Sequence, residues 1–489
     1  ADAIEASAMN GGRMSAGTGL RAAFVSALSI GAGASVGREG PAVHLGAALA
    51  GGLAKKLHLT RSLSRSLLGC GVAAAVAASF NAPIAGALFA NEVVIGHYAL
   101  RAFAPVVIAS VTGTMASRAF YGDYPAFLIP PHEIGSYLGL PAFILIGLLA
   151  GGIAIALLKG IFAVQDAAEK LPVPAWARPA LGGFLVGLIA LFLPQVMGVG
   201  YGVTDDALSG QMALGLLLAV LAAKVAATAL SLGLGFGGGI FSPSLVVGAM
   251  LGGAFGIVAT GLFPELDTGP GGYTLIGMGA VAAATLGAPI STTLIMFELT
   301  GDYELTLGVM LAAVMSTGVT RNVLGLSFFT LQLERRGLDL KGGFETALLR
   351  QHRVADVMHE CHAVVPPSAN LAELRWRLQE SPGGELFVVD EHGILIGTIT
   401  FADLSEAAFD RNLDLLVNAA DAARLHPPVL RGKDDLETAL NRMTDTGEHT
   451  LAVVDDHDPR TFVGTVEERH VITAYNRALL KSRHEERDL

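Results

Sequence analysis

The chain has 489 residues, 52% hydrophobic and 15% charged, with a mean hydropathy of +0.55. That composition excludes an ordinary soluble protein, and a net charge of −11 excludes a basic nucleic-acid surface as the main theme. Apolar runs fill residues 1–336, whereas 337–489 read as soluble protein, so a membrane domain is followed by a soluble one. Cys70 and Cys361, one in each part, give no disulfide framework and suit a reducing cytoplasm. The opening Ala1-Asp2-Ala3-Ile4-Glu5 shows neither start methionine nor signal peptide, and the true N-terminus is expected to lie upstream.

Apolar segments follow at 20–36, 42–53, 67–78, 84–95, 103–115, 142–162, 180–193, 212–232, 241–262, 275–286, 290–299 and 305–324. Several are too short for a hydrocarbon core about 30 Å thick. Short apolar segments broken by Gly and Pro predict discontinuous helices around a buried site. Gly37-Arg38-Glu39-Gly40-Pro41 is such a break, with Pro41 in the first turn of the next helix. Its glycines leave N–H groups uncovered at the positive end of that helix, which in a membrane is an anion site. Arg38 and Glu39 would each cost about 2.5–3.5 kcal/mol at a helix centre in lipid and are better placed along a wet path. A polar loop between two helices accounts for the pentapeptide equally well.

Lys55, Lys56, Arg61 and Arg65 share one loop, and Lys159, Lys170 and Arg178 cluster around another. The stretches 121–136, 194–210 and 263–272 hold no Lys or Arg but carry Asp123, Glu133, Asp205, Asp206, Glu265 and Asp267. Basic loops inside and acidic loops outside put the soluble part in the cytoplasm if an odd number of crossings follows the last acidic loop.

An internal repeat runs through the membrane part. Ser79-Phe80-Asn81-Ala82-Pro83-Ile84 with Glu92 matches Thr285-Leu286-Gly287-Ala288-Pro289-Ile290 with Glu298 at equal spacing. Each copy follows a glycine-rich break, Gly37–Pro41 in the first and Gly235-Phe236-Gly237-Gly238-Gly239-Ile240-Phe241-Ser242-Pro243 in the second. Matching interrupted helices in two halves point to a site at their interface.

These motifs together resemble the CLC family of chloride channels and proton-coupled chloride exchangers, over roughly residues 1–337. The resemblance implies an all-α polytopic membrane fold with an inverted repeat of broken helices, in a cell or inner membrane. It implies a homodimer with one chloride path per subunit. The implied anion-binding positions are Gly37, Arg38, Gly40, Gly239, Ile240, Phe241 and Phe329, with Glu39 as the gating glutamate. Three departures follow. The first filter motif, Gly-Ser-Gly-Ile-Pro, would lie just before Ala1, which leaves chloride against nitrate open. Glu92 matches the first of two adjacent glutamates in many exchangers, but Val93 replaces the second, the cytoplasmic proton carrier. In Ser327-Phe328-Phe329-Thr330, Phe329 stands where a tyrosine hydroxyl usually meets the central anion.

Lys224 could attract anions but is expected to reach a polar interface, Glu298 to partner helix termini as readily as to transport, and His44 to be a satisfied packing histidine, with titration near the path as its alternative. No motif for membrane enzyme chemistry or a metal site occurs.

After a short helix near 331–335 and a linker at 337–352, two similar α/β units span 353–411 and 412–489. They resemble a cystathionine-β-synthase (CBS) pair, a regulatory module. In the first, Gly397-Thr398-Ile399-Thr400-Phe401-Ala402-Asp403 matches a pattern whose Thr and Asp contact an adenine nucleotide (ATP, ADP or AMP). Glu467 and His470 take those places in the second, and helix capping by Thr400 and Asp403 is the plainer alternative. With Val93 removing the inner proton carrier and Phe329 leaving a wider or weaker inner constriction, the sequence reads as a passive, channel-like chloride path gated by Glu39 and regulated by the CBS pair. Proton-coupled chloride exchange is the alternative, and a membrane-anchored nucleotide sensor the third. No cofactor beyond the transported ion is required.

Overall fold

The computed structural model describes residues 1–96, 100–123, 127, 139–269, 271–325, 327–338, 349–350, 352–360, 363–381, 383–404, 413–414 and 416–487. Most of the expected linker, Glu133, Cys361 and the boundary at 411/412 lie outside the described residues. The chain divides into two units, Ala1–Asp339 and Leu340–Leu489.

The first unit is helical. Its helices are α1 (Asp2–Ala8), α2 (Ala16–Gly31), α3 (Glu39–Lys56), α4 (Arg61–Phe80), α5 (Pro83–Phe89) and α6 (Leu100–Tyr121). Next come α7 (Leu140–Lys170), α8 (Arg178–Phe192), α9 (Tyr201–Leu208), α10 (Leu214–Gly233) and α11 (Phe241–Leu262). α12 (Gly272–Leu286), α13 (Pro289–Thr300), α14 (Tyr303–Leu324) and α15 (Phe328–Arg335) complete it. Among the described residues, seven helical stretches are long and apolar enough to cross a membrane. α3 starts three residues before its expected apolar segment, with Pro41 in the first turn, and α11 starts where its segment does. Glu39 and Phe241 are the first residues of α3 and α11, with Pro41 and Pro243 third in each. The helix after Ser327 also starts earlier than expected, at Phe328, because Ser327 and Thr330 form a capping box.

The repeat is visible in backbone detail. α4 ends on Asn81 at φ 57° and α12 on Gly287 at φ 71°, both left-handed, and Ala-Pro then opens α5 and α13. Small residues set the helix spacing in both halves. A Cβ on Gly46 of α3 would lie 2.3 Å from the Gly71 carbonyl oxygen of α4, and one on Gly248 of α11 equally close to that of Gly277 in α12. The core of this unit runs through α4, α5, α11, α12 and α14, with Val72, Phe80, Val247, Met278 and Val309 buried.

The second unit repeats a strand, a helix and a hairpin. β1 (Val364–Val365) pairs parallel with β2 (Glu385–Val389), which pairs antiparallel with β3 (Leu395–Thr400); β4 (Arg424–Leu425) closes the sheet. β5 (Val429–Arg431), β6 (Thr450–Val454) and β7 (Phe462–Glu467) repeat the first three, with a register shift at the matching place. Leu371–Glu380 and Leu436–Thr446 are the paired helices, capped by Asn370 and Asp435. The short strands β1 and β5 escape the sequence reading because two or three residues carry no periodic signal. Phe387 stacks on Phe462 and joins the two halves through an apolar seam.

Candidate functional site

The two glycine-rich breaks meet. Gly37 N–H donates to the Gly239 carbonyl at 2.7 Å and Gly239 N–H returns the bond at 2.8 Å. The approach tolerates no side chain: a Cβ on Gly40 would lie 2.9 Å from Gly239 Cα, and one on Gly238 would lie 2.4 Å from Val36. The amides of Gly37 and Gly239 are therefore spent on each other. The first-turn amides of Arg38, Glu39 and Gly40 in α3, and of Ile240, Phe241 and Ser242 in α11, have no intrahelical acceptor by position. Gly37 and Gly239, both expected among the anion contacts, bring the two helix starts together through this pair of bonds.

Glu39 occupies that meeting point, 2% exposed. Ser242 Oγ donates to its Oε2 at 2.5 Å, and Tyr201 Oη donates to Oε1 at 2.8 Å. Ser242 is the second residue of α11 and Tyr201 the first of α9, so the carboxylate sits where three helices begin. Arg38 Nε lies 3.7 Å from Glu39 Oε1, its guanidinium 5.0 Å over the Tyr201 ring. The Arg38 side chain itself is half exposed. Lys224 braces the turn that precedes Tyr201. The expectation that Lys224 reaches an interface is overturned: it is fully buried, and its Nζ donates to the carbonyls of Val196 and Gly198, each at 2.9 Å. Those bonds shape the turn through Gly200, at φ 88°, that delivers Tyr201.

A cavity of about 570 Å³ opens beside Glu39. Gly40, Val93, Gly239, Ile240, Phe241 and Phe329 all line it, whereas Gly37 and Arg38 do not. Phe329 packs edge-on against Phe328 and presents no hydroxyl. His44 and Asp2 also line the cavity, with His44 Nδ1 3.2 Å from Asp2 Oδ2, so the histidine expected to pack lies beside the path with an acidic partner.

Glu92 and Glu298 do matching work. Glu92, in a π-helical turn that continues α5, accepts from the N–H groups of Ile290 (3.1 Å) and Ser291 (2.8 Å) and from the Ser291 hydroxyl. Glu298 accepts from Ile84 (2.9 Å) and Ala85 (2.7 Å). Each half caps a helix start in the other. Glu92 thus points at α13 while its neighbour Val93 points at the cavity.

In the second unit, the N–H and hydroxyl of Thr400 both donate to Asp403 Oδ2, at 2.8 and 2.7 Å. Arg424 Nε lies 3.3 Å from the same oxygen, and Arg424 Nη2 lies 3.1 Å from Glu448. Glu385 is buried beside them, and burial, reinforced by the Glu448 charge, pushes its carboxyl up to about 7. At the matching place in the other half, His470 stacks on His359 with centroids 4.2 Å apart, and burial lowers its pKa. Tyr201, Ser242, Glu385 and Arg424 are absent from the sequence reading. Ser242 lies inside a motif it quotes; the other three have no sequence signal, since long-range folding alone brings them in.

The voltage gated chloride channel family model matches residues 1–321, and the CBS domain matches 354–410 and 419–477. The chain is 37% identical to a protein of Ralstonia nicotianae named as a ClcB-like chloride channel protein, over 64% of this chain and 74% of that one. It is 32% identical to the H(+)/Cl(−) exchange transporter ClcA of Vibrio parahaemolyticus, over 63% of this chain and 67% of the relative. For chloride channel protein CLC-f of Arabidopsis thaliana it is 30% identical over 78% of this chain, spanning only 56% of that protein. A solved slow cyanobacterial Cl−/H+ antiporter superposes with a TM-score of 0.58 at 27% identity, covering 63% of this chain and 73% of that one.

Proposed function

We propose, on the premise that this chain belongs to the voltage gated chloride channel family, that it moves chloride across a membrane in exchange for protons. The observation that carries the reading is the buried Glu39 carboxylate, tethered where α3, α9 and α11 begin and beside a cavity. A carboxylate there competes with chloride for the same positive helix ends and leaves when protonated or displaced. Relatives named as H(+)/Cl(−) exchange transporters and the superposing antiporter support exchange above passive conduction. Passive conduction is the second reading, favoured by Val93 and Phe329, which line the cavity with hydrocarbon where a proton carrier and a hydroxyl would serve an exchanger. Two copies of the chain assemble in the bilayer, with the CBS pair in the cytoplasm. An adenine nucleotide at Thr400 and Asp403 regulates it by taking the place of Arg424 on the Asp403 carboxylate.

Full-length protein in liposomes, with the potential clamped by a potassium ionophore and a chloride gradient imposed, tests the reading. Uphill proton uptake that disappears in Glu39→Ala is the expected result. Chloride flux without uphill protons assigns passive conduction, and flux unaltered by Glu39→Ala removes the gating role.

A further inference from the structure

Exchange requires a proton to reach Glu39 from the cytoplasmic side, and Val93 cannot carry it. On the exchange reading above, we propose that His44, positioned by Asp2, is the inner proton carrier of this chain. His44 lies on α3 itself, five residues beyond Glu39 and about 7.5 Å further along the helix axis. The direction is toward the basic end at Lys55 and Lys56, the side that charge asymmetry assigns to the cytoplasm. Glu39, Val93 and His44 line one cavity.

The geometry of His44 suits proton transfer. Its Nδ1 faces Asp2 Oδ2 at 3.2 Å, which fixes the tautomer with hydrogen on Nδ1. Its Nε2 is buried and has no hydrogen-bond partner among the described residues. Most buried polar atoms in folded proteins are partnered, and this unpartnered one belongs to a side chain on the cavity wall. A turn of the ring that brings Nε2 to the cavity lets it take a proton from water, giving an imidazolium beside the Asp2 carboxylate. The same proton then passes through cavity water to the Glu39 carboxylate, restoring neutral imidazole; only N–H and O–H bonds form or break.

The charged groups around His44 define its setting. α1 contributes Asp2 and Glu5, α2 contributes Arg21, and Arg336 beyond α15 binds Asp2 at 2.6 Å and Glu5 at 3.4 Å. Arg38 and Glu39 share its helix, while α4 and α11 line the cavity with Val76 and Phe241. Arg336 thus keeps Asp2 in place without itself exchanging protons.

Chloride efflux and proton uptake are measured together on full-length wild type, His44→Gln, Asp2→Asn and His44→Gln/Val93→Glu in liposomes. The ratio of proton to chloride flux is expected to fall at least about tenfold in His44→Gln, less in Asp2→Asn, and to recover in the double variant. A wild type without uphill proton uptake overturns exchange and this inference with it. A coupled wild type whose coupling persists in His44→Gln overturns the inference alone. Loss of both fluxes in His44→Gln, unrepaired by Val93→Glu, assigns a packing role and overturns it as well.

Discussion

The two halves of the membrane unit share a backbone and differ in what they hang on it. Gly37-Arg38-Glu39-Gly40-Pro41 and Gly239-Ile240-Phe241-Ser242-Pro243 align position by position, and the structure pairs Gly37 with Gly239. Both breaks open a helix at their third residue, Glu39 in one and Phe241 in the other. The positive helix end is duplicated, whereas the tethered charge is not. The second half supplies a hydroxyl, Ser242, to hold the first half's carboxylate. The CBS pair is built on the same plan. Thr400 and Asp403 stand at the end of one hairpin, with Glu467 and His470 at matching positions of the other. Duplication provides the frame in each unit, and divergence of one copy provides the chemistry.

The symmetric part of this comparison makes the largest prediction. If Glu92 and Glu298 are equivalent caps, Glu92→Ala and Glu298→Ala each leave two helix-start amides without their charged acceptor, a loss of about 2–4 kcal/mol. Thermal unfolding of the solubilised protein is expected to fall by similar amounts for both. A loss of proton coupling in Glu92→Ala without a stability loss would instead make Glu92 a proton carrier and break the equivalence.

That symmetry explains how far the sequence could be read. Gly-rich breaks, Ala-Pro turns and the spaced glutamates are local signals, so both breaks, the repeat and Glu39 were legible. Val93 and Phe329 were placed on the path by motif position, and both line the cavity. The Glu92 and Glu298 contacts span about two hundred residues, |i−j| 199 and 214, so which amides each carboxylate caps was not legible. Lys224 was misjudged because an apolar helix suggests an interface. Backbone carbonyls that satisfy a buried ammonium leave no trace in composition. Asp2 and His44 are forty-two positions apart, and nothing in either segment names the other.

A smaller effect sharpens the comparison within the CBS pair. Glu385 has its carboxyl raised from 4.5 to about 7. The folded chain therefore holds a proton that the unfolded chain releases between those values. Stability from this group is full below about pH 4.5 and is lost as pH rises through 7, a penalty of order 3 kcal/mol at pH 8. Glu385→Gln removes the titration. In the full-length protein, amide hydrogen exchange at β2 and β3 is expected to be slower in the variant by about 1–3 kcal/mol equivalent at pH 8. The difference should shrink toward pH 5. A difference of the same size at both pH values would assign the effect to packing.

The smallest prediction bears on the asymmetry at Glu39. Ser242 comes from the repeat partner of the first break, but Tyr201 comes from α9, outside the repeated breaks. Its hydroxyl adds a second donor to the carboxylate and, on the proposed gating role, strengthens Glu39 as a competitor for the anion. Tyr201→Phe keeps the ring that packs edge-on against Phe127 and removes only that bond. A hydrogen bond to a charged group contributes about 1.5–3 kcal/mol net, and the low end applies where Ser242 still donates to the same carboxylate. The tether should weaken by about 1.5 kcal/mol, raising chloride turnover about tenfold and tightening apparent chloride affinity in the same direction. Proton coupling should persist, because the Glu39 carboxylate is retained. Chloride flux from liposomes as a function of chloride concentration measures both. Unchanged turnover and affinity would mean that Ser242 and the helix ends hold Glu39 without help, and that the repeat alone sets the gate.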